Sequence, residues 1–100
     1  MNIELRRAPT DEEIELICSA AEEAARKLIF SKISLKKLED LDLSVEALGD
    51  KPLSLTVEVA VEADLEDPDL GTIIDKATDE AFAAAEAKVK ELNLCDVSNN

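Results

Sequence analysis

The sequence predicts an α+β fold of the αββα type, a two-layer sandwich in which an antiparallel hairpin packs on two amphipathic helices. Three observations carry this. Leu53, Leu55, Val57, Val59, Val61 and Ala63 alternate with Ser54, Thr56, Glu58, Ala60 and Glu62, the period-2 pattern of a strand buried on one face. A second alternating run, Leu41 to Leu48, lies just before it, separated by the turn cluster Gly49, Asp50, Lys51 and Pro52. On either side of this pair, apolar residues step by three and four, as a helix with one buried face requires.

Residues 1–9 read as an N-terminal extension or an edge strand, with Ile3 and Leu5 alternating with charged neighbours. Thr10 and Glu13 form a T-x-x-E capping box that opens the first helix, with Pro9 just outside. Ile14, Ile17, Ala21, Ala24 and Leu28 make its apolar stripe, widened by Cys18, Ala20, Ala25 and Ile29. Asp11, Glu12, Glu13 and Glu15 at its start and Arg26 and Lys27 near its end complement the helix dipole, and the helix is expected to end near Ser31. The run Leu35–Asp40 then reads as a capped turn or tight connector, with Ile33, Leu35 and Leu38 against the end of the core.

In the first strand, Leu41, Leu43, Val45 and Ala47 face inward. Opposed residues of an antiparallel pair share a face, so the connecting loop must hold an odd number of residues, and pairing Ala47 with Leu53 satisfies this. After Ala63 the acidic segment Asp64–Asp69 leaves the sheet, and Asp67, Asp69 and Thr72 compete to cap the second helix. Leu70, Ile74, Ala77, Ala81, Ala84, Ala85, Val89 and Leu92 form its stripe, with Ile73 and Phe82 beside it. The domain spans residues 10–92, and 93–100 read as a polar tail. Two strands alone are marginal and leave two open edges. Either residues 2–7 add a third strand, or two copies extend the sheet by dimerising, with Leu53, Leu55, Val57, Val59 and Val61 as the edge or dimer strand.

Composition narrows the function. The chain has 100 residues, 46% of them apolar, yet Phe30 and Phe82 are its only aromatics, so the core is aliphatic. Twenty-four acids against 11 bases give a net charge of −13, which repels polyanions and disfavours nucleic acid as a general partner. No apolar run has the roughly 18 residues a membrane span needs, and the N-terminus lacks signal-peptide features, so a cytoplasmic protein is expected. Cys18 and Cys95 lack metal or redox spacing and there is no histidine. No cofactor is expected.

Two charge clusters are candidate sites. Asp64, Glu66, Asp67 and Asp69 could gather round a hard cation, but Pro68 and Asp69 occupy the fifth and sixth positions of a calcium loop, where a ligand and a glycine belong. A solvated loop ahead of a helix N-terminus explains them. Arg26, Lys27, Lys32, Lys36 and Lys37 fall within a stretch, 26–37, that contains no acid. They form a patch that could meet an acidic partner or phosphates, or simply end a helix. Ser31 and Ser34 flank it without a histidine to activate them, and no nucleophile, base or metal constellation assembles by spacing, so no enzyme is expected.

The layout is similar to that of K-homology RNA-binding domains, but their G-x-x-G loop is absent, since the only glycines are Gly49 and Gly71. The run F-S-K-I-S-L-K-K-L-E-D-L-D-L from Phe30 to Leu43, then L-T-V-E-V-A-V-E, then A-F at Phe82, resembles the archaeal domain-of-unknown-function family 3194. That resemblance spans about residues 11–91 and implies an archaeal αββα protein with no assigned catalytic or ligand residue. In layout alone the chain is also similar to the small dimerising subunit of the archaeal tRNA-threonylcarbamoylation complex. A non-enzymatic interaction module follows, paired with itself or with another protein through its hairpin edge. The alternative is an accessory factor in RNA or tRNA work that uses the basic patch.

Overall fold

The computed structural model describes residues 2–5, 7–48, 53–64 and 67–94. The elements run β1 (Asn2–Ile3), α1 (Asp11–Lys32), β2 (Leu38–Leu48), β3 (Leu53–Ala63) and α2 (Asp67–Glu91), an α+β fold. The antiparallel sheet has the order β1-β3-β2. The helices form the second layer, α1 over β2 and α2 over β3, packed closely on each other.

Thr10 caps α1 as its residue type dictates. Its hydroxyl accepts from the Glu13 N–H at 3.1 Å, and its own N–H donates to Glu13 Oε1 at 2.9 Å. Arg7 adds a bidentate clamp on the same carboxylate at 2.9 and 2.8 Å and reaches the Leu92 carbonyl at 3.5 Å, which sets the start of α1 beside the end of α2. These bonds hold the Glu13 carboxyl down at about 2, chiefly through Arg7 and next through the Thr10 N–H, and in turn raise the Arg7 guanidinium.

α2 starts at Asp67, so Asp69 and Thr72 lie inside the helix and do not begin it. Pro68 is tolerated because N–H groups of the first turn have no intrahelical acceptor. At the other end Asn93 adopts φ 61°, Leu94 N–H donates to the Val89 carbonyl at 3.0 Å, and Asn93 N–H to that of Lys90 at 3.1 Å. This is a Schellman ending with its usual apolar contact positions, Leu94 and Val89, both buried. Leu94, in the stretch read as a polar tail, is thus a core residue at 0% exposure.

The helix stripes are centred on Ile17, Ala21, Ala25 and Ile29 and on Ile73, Ala77, Ala81, Ala85 and Val89, all buried. Steps of four place these residues along the i±4 ridges, and alanine there lets two backbones approach closely. Ala24, Leu28, Leu70, Ile74, Ala84 and Leu92 flank the stripes half-buried.

Both strands keep the expected faces, but the register is shifted by two residues: Ala47 opposes Leu55, not Leu53, and Leu53 opposes Ile3 of β1. A shift of two preserves every inward face, so the alternation cannot detect it. β2 also begins earlier than the connector reading allowed. Leu38 opposes Ala63 and Asp40 opposes Glu62, leaving Glu39 as a bulge. The bulge changes the parity, so Leu38 joins Leu41, Leu43, Val45 and Ala47 on the inward side. Ile33 is buried, but Leu35 is 75% exposed and lies outside the core, because the turn at 34–37 closes on itself through Lys37 and Leu38 N–H bonds to the Ser34 carbonyl.

Candidate interaction surface

β2 is the outer strand of the sheet over its whole length, because β1 joins on the far side of β3. Among the described residues no strand pairs with its free side. Its inward residues Leu41, Leu43, Val45 and Ala47 are only half-buried, as are Val57, Val59 and Ala63 of β3, whereas Leu53, Leu55 and Val61 of β3 are buried. Leu53, between β1 and β2, is covered on both flanks, while an outer strand leaves part of each inward side chain facing the gap beyond it. The free side of β2 therefore couples an unpaired backbone edge to a strip of partly wetted apolar surface.

The outward face carries Asp40, Asp42, Glu46, Glu58 and Glu62, all exposed, with no base among its described residues. Asp40 stands directly opposite Glu62, a like-charge pair that weakens the sheet slightly. Leu48 ends β2 on this face at 65% exposure.

β3, the strand read from its alternation as an edge or dimer strand, is bounded by β2 along its length and by β1 at Leu53 and Ser54. Leu53 therefore sits between two strands. Beyond Leu55, the side of β3 away from β2 has no paired strand among the described residues, and there Val57 and Val59 are half-buried and Val61 is buried.

The basic patch divides. Arg26 pairs with Glu22 at 3.2 Å and Lys27 with Glu23 at 3.6 Å, both one turn back on α1. Lys32, Lys36 and Lys37 are exposed and make no ion pair among the described residues. Exposed Leu35 lies between Lys32 and Lys36 in sequence, and Phe30, 43% exposed, is in the last turn of α1 with Lys32. The Lys37 carbonyl accepts from Asp64 N–H at 2.9 Å, tying this turn to the end of β3. Of the acidic loop, Asp64 is exposed, and the Glu66, Asp67 and Asp69 side chains lie outside the described residues.

Cys18 is half-buried against the core, and burial, then nearby Glu22, push its thiol above its usual range. Such a thiol is less ionised and less nucleophilic than a free one. Cys95 lies outside the described residues. No helix among the described residues is long and apolar enough to cross a membrane.

Two solved structures share this architecture. The solution structure of the hypothetical protein mth677 from Methanothermobacter thermautotrophicus superposes with a TM-score of 0.70 at 26% identity, covering 85% of this chain and 93% of that one. A crystal structure from Thermococcus onnurineus NA1 gives 0.73 at 23% identity over 91% and 88%, a likeness of fold. No curated protein matches the chain. A family model described as "Protein of unknown function (DUF3194)" matches residues 7–88.

Proposed function

We propose that this chain, which belongs to the DUF3194 family of proteins of unknown function, is a non-enzymatic interaction module that acts by adding a partner's strand to its own sheet. The observation that carries the reading is the open edge of β2 with half-buried Leu41, Leu43, Val45 and Ala47 beside it. An incoming strand would satisfy the edge backbone groups and cover the apolar strip in one step.

The test is affinity capture of the tagged chain from a lysate of its own organism, with and without ribonuclease and with excess synthetic peptide of residues 38–48. The reading expects a defined protein partner that survives nuclease and is displaced by the peptide. A partner indifferent to the peptide would refute it.

A second reading, an accessory factor in RNA or tRNA work, is favoured by the three exposed lysines Lys32, Lys36 and Lys37, which make no ion pair among the described residues. It expects the associated proteins to vanish with the RNA, and RNA affinity to fall steeply with salt. Replacing the three lysines with glutamate should abolish that binding and leave a strand-mediated partner in place.

A further inference from the structure

Resting on that reading, we infer that the β2 edge is built for a strand from a different chain, one that carries basic residues on its outward face, and is set against a second copy of itself. The reasoning is one of register. Inward residues of β2 beyond the bulge are odd-numbered, so a two-fold antiparallel pairing of two β2 strands that buries the apolar strip must pair odd with odd. A pairing centred on residue 42 sets Asp42 against its own copy. One centred on 41 opposes Asp40 to Asp42, on 43 Asp40 to Glu46, and on 44 Asp42 to Glu46, each contact made twice by symmetry. Shifting by a single residue would turn the acids inward beside the leucines.

The three registers of greatest overlap, centred on 42, 43 and 44, thus each place exposed carboxylates at cross-strand distance, where like charges oppose pairing, whereas one centred on 45 pairs only 42–48 and sets Glu46 against Ser44. No base lies among the described residues of this face to relieve them. Acidic side chains on an otherwise adhesive edge are a means of refusing the wrong strand. A strand with Lys or Arg opposite Asp40, Asp42 and Glu46, and aliphatic residues beside Leu41, Leu43, Val45 and Ala47, turns the same carboxylates into attractive contacts.

The test uses the full chain at 0.15 M salt with three eleven-residue peptides: one alternating valine with lysine, one alternating valine with glutamate, and the lysine peptide N-methylated at alternate backbone nitrogens. The lysine peptide should slow hydrogen exchange at alternate β2 amides and bind about tenfold or more tighter than the glutamate peptide. N-methylation, which keeps the charge and removes edge hydrogen bonds, should abolish that protection. The exposed triple variant Asp40→Lys, Asp42→Lys, Glu46→Lys should reverse the preference. If the chain alone sediments as a dimer at micromolar concentration with every β2 amide protected, the preference for a different chain is overturned while strand addition stands. If the methylated and unmethylated peptides bind equally and β2 amides are unchanged, strand addition itself falls.

Discussion

Leu35 and Leu55 both occupy positions that the apolar pattern assigns to the core, and truncating each to alanine separates what the fold does with them. Leu55 is 0% exposed on the inward face of β3, opposite Ala47. Ala47 is too small to fill the space that Leu55→Ala would leave, so transfer and cavity terms add, and the expected loss is about 3 kcal/mol within the range of about 2–5 for such sites. For a domain of this length that lowers the melting temperature by roughly 12–24 °C. Leu35, 75% exposed, keeps only about a quarter of its burial energy. Leu35→Ala should then cost at most about 0.5 kcal/mol, or roughly 2–4 °C. Urea unfolding followed by circular dichroism at 222 nm reads both, and equal slopes with unequal midpoints are expected. Equal destabilisation by the two substitutions would refute the placement of the 34–37 turn outside the core.

Gly71 lies exposed within α2 with nothing within 4 Å of where a Cβ would stand, so Gly71→Ala should stabilise the chain by about 0.5–1 kcal/mol in the same urea assay. Asn93→Gly should be neutral or mildly stabilising, whereas Asn93→Val, forced into positive φ, should lower the thermal midpoint and expose Leu94. Glu13, held down at about 2, contributes stability that is fully present above its ordinary carboxyl range and is lost as pH falls through about 2. Arg7→Gln removes the largest cause, and a carboxyl NMR titration should show the Glu13 midpoint rising toward ordinary values.

The residues that wrote their own structure most legibly are those whose patterns are local. Thr10 and Glu13 make the capping box that their spacing announces, and the alternation in β3 puts the odd-numbered residues from Leu53 to Ala63 inward as read. What stayed hidden depended on a single offset. The bulge at Glu39 changes the parity of one strand, so a period-2 reading starts β2 at Leu41 and assigns Leu38 to a connector. Register shifts of two leave every face unchanged, which is why Ala47 could be matched with Leu53. Asn93 marks the end of the second helix in the sequence, but the polar-tail reading of 93–100 takes in Leu94, which the Schellman ending returns to the core. The stretch 26–37 contains no acid, but Glu22 and Glu23 stand four residues before Arg26 and Lys27, the spacing that pairs them on a helix. Which strand is outermost is a property of topology. It turns on β1 joining β3, a long-range pairing that no local pattern encodes.

The central claim is that β2 carries an unsatisfied edge which a partner's strand completes. Residue-resolved amide hydrogen exchange on the isolated chain at low micromolar concentration, repeated on the captured complex, tests it most directly. The account predicts that between Leu41 and Ala47 protected and fast-exchanging amides alternate in the isolated chain, and that the fast set becomes protected in the complex while β3 changes little. Uniform protection along β2 in the isolated monomer, or a complex that leaves the fast amides fast, would contradict it.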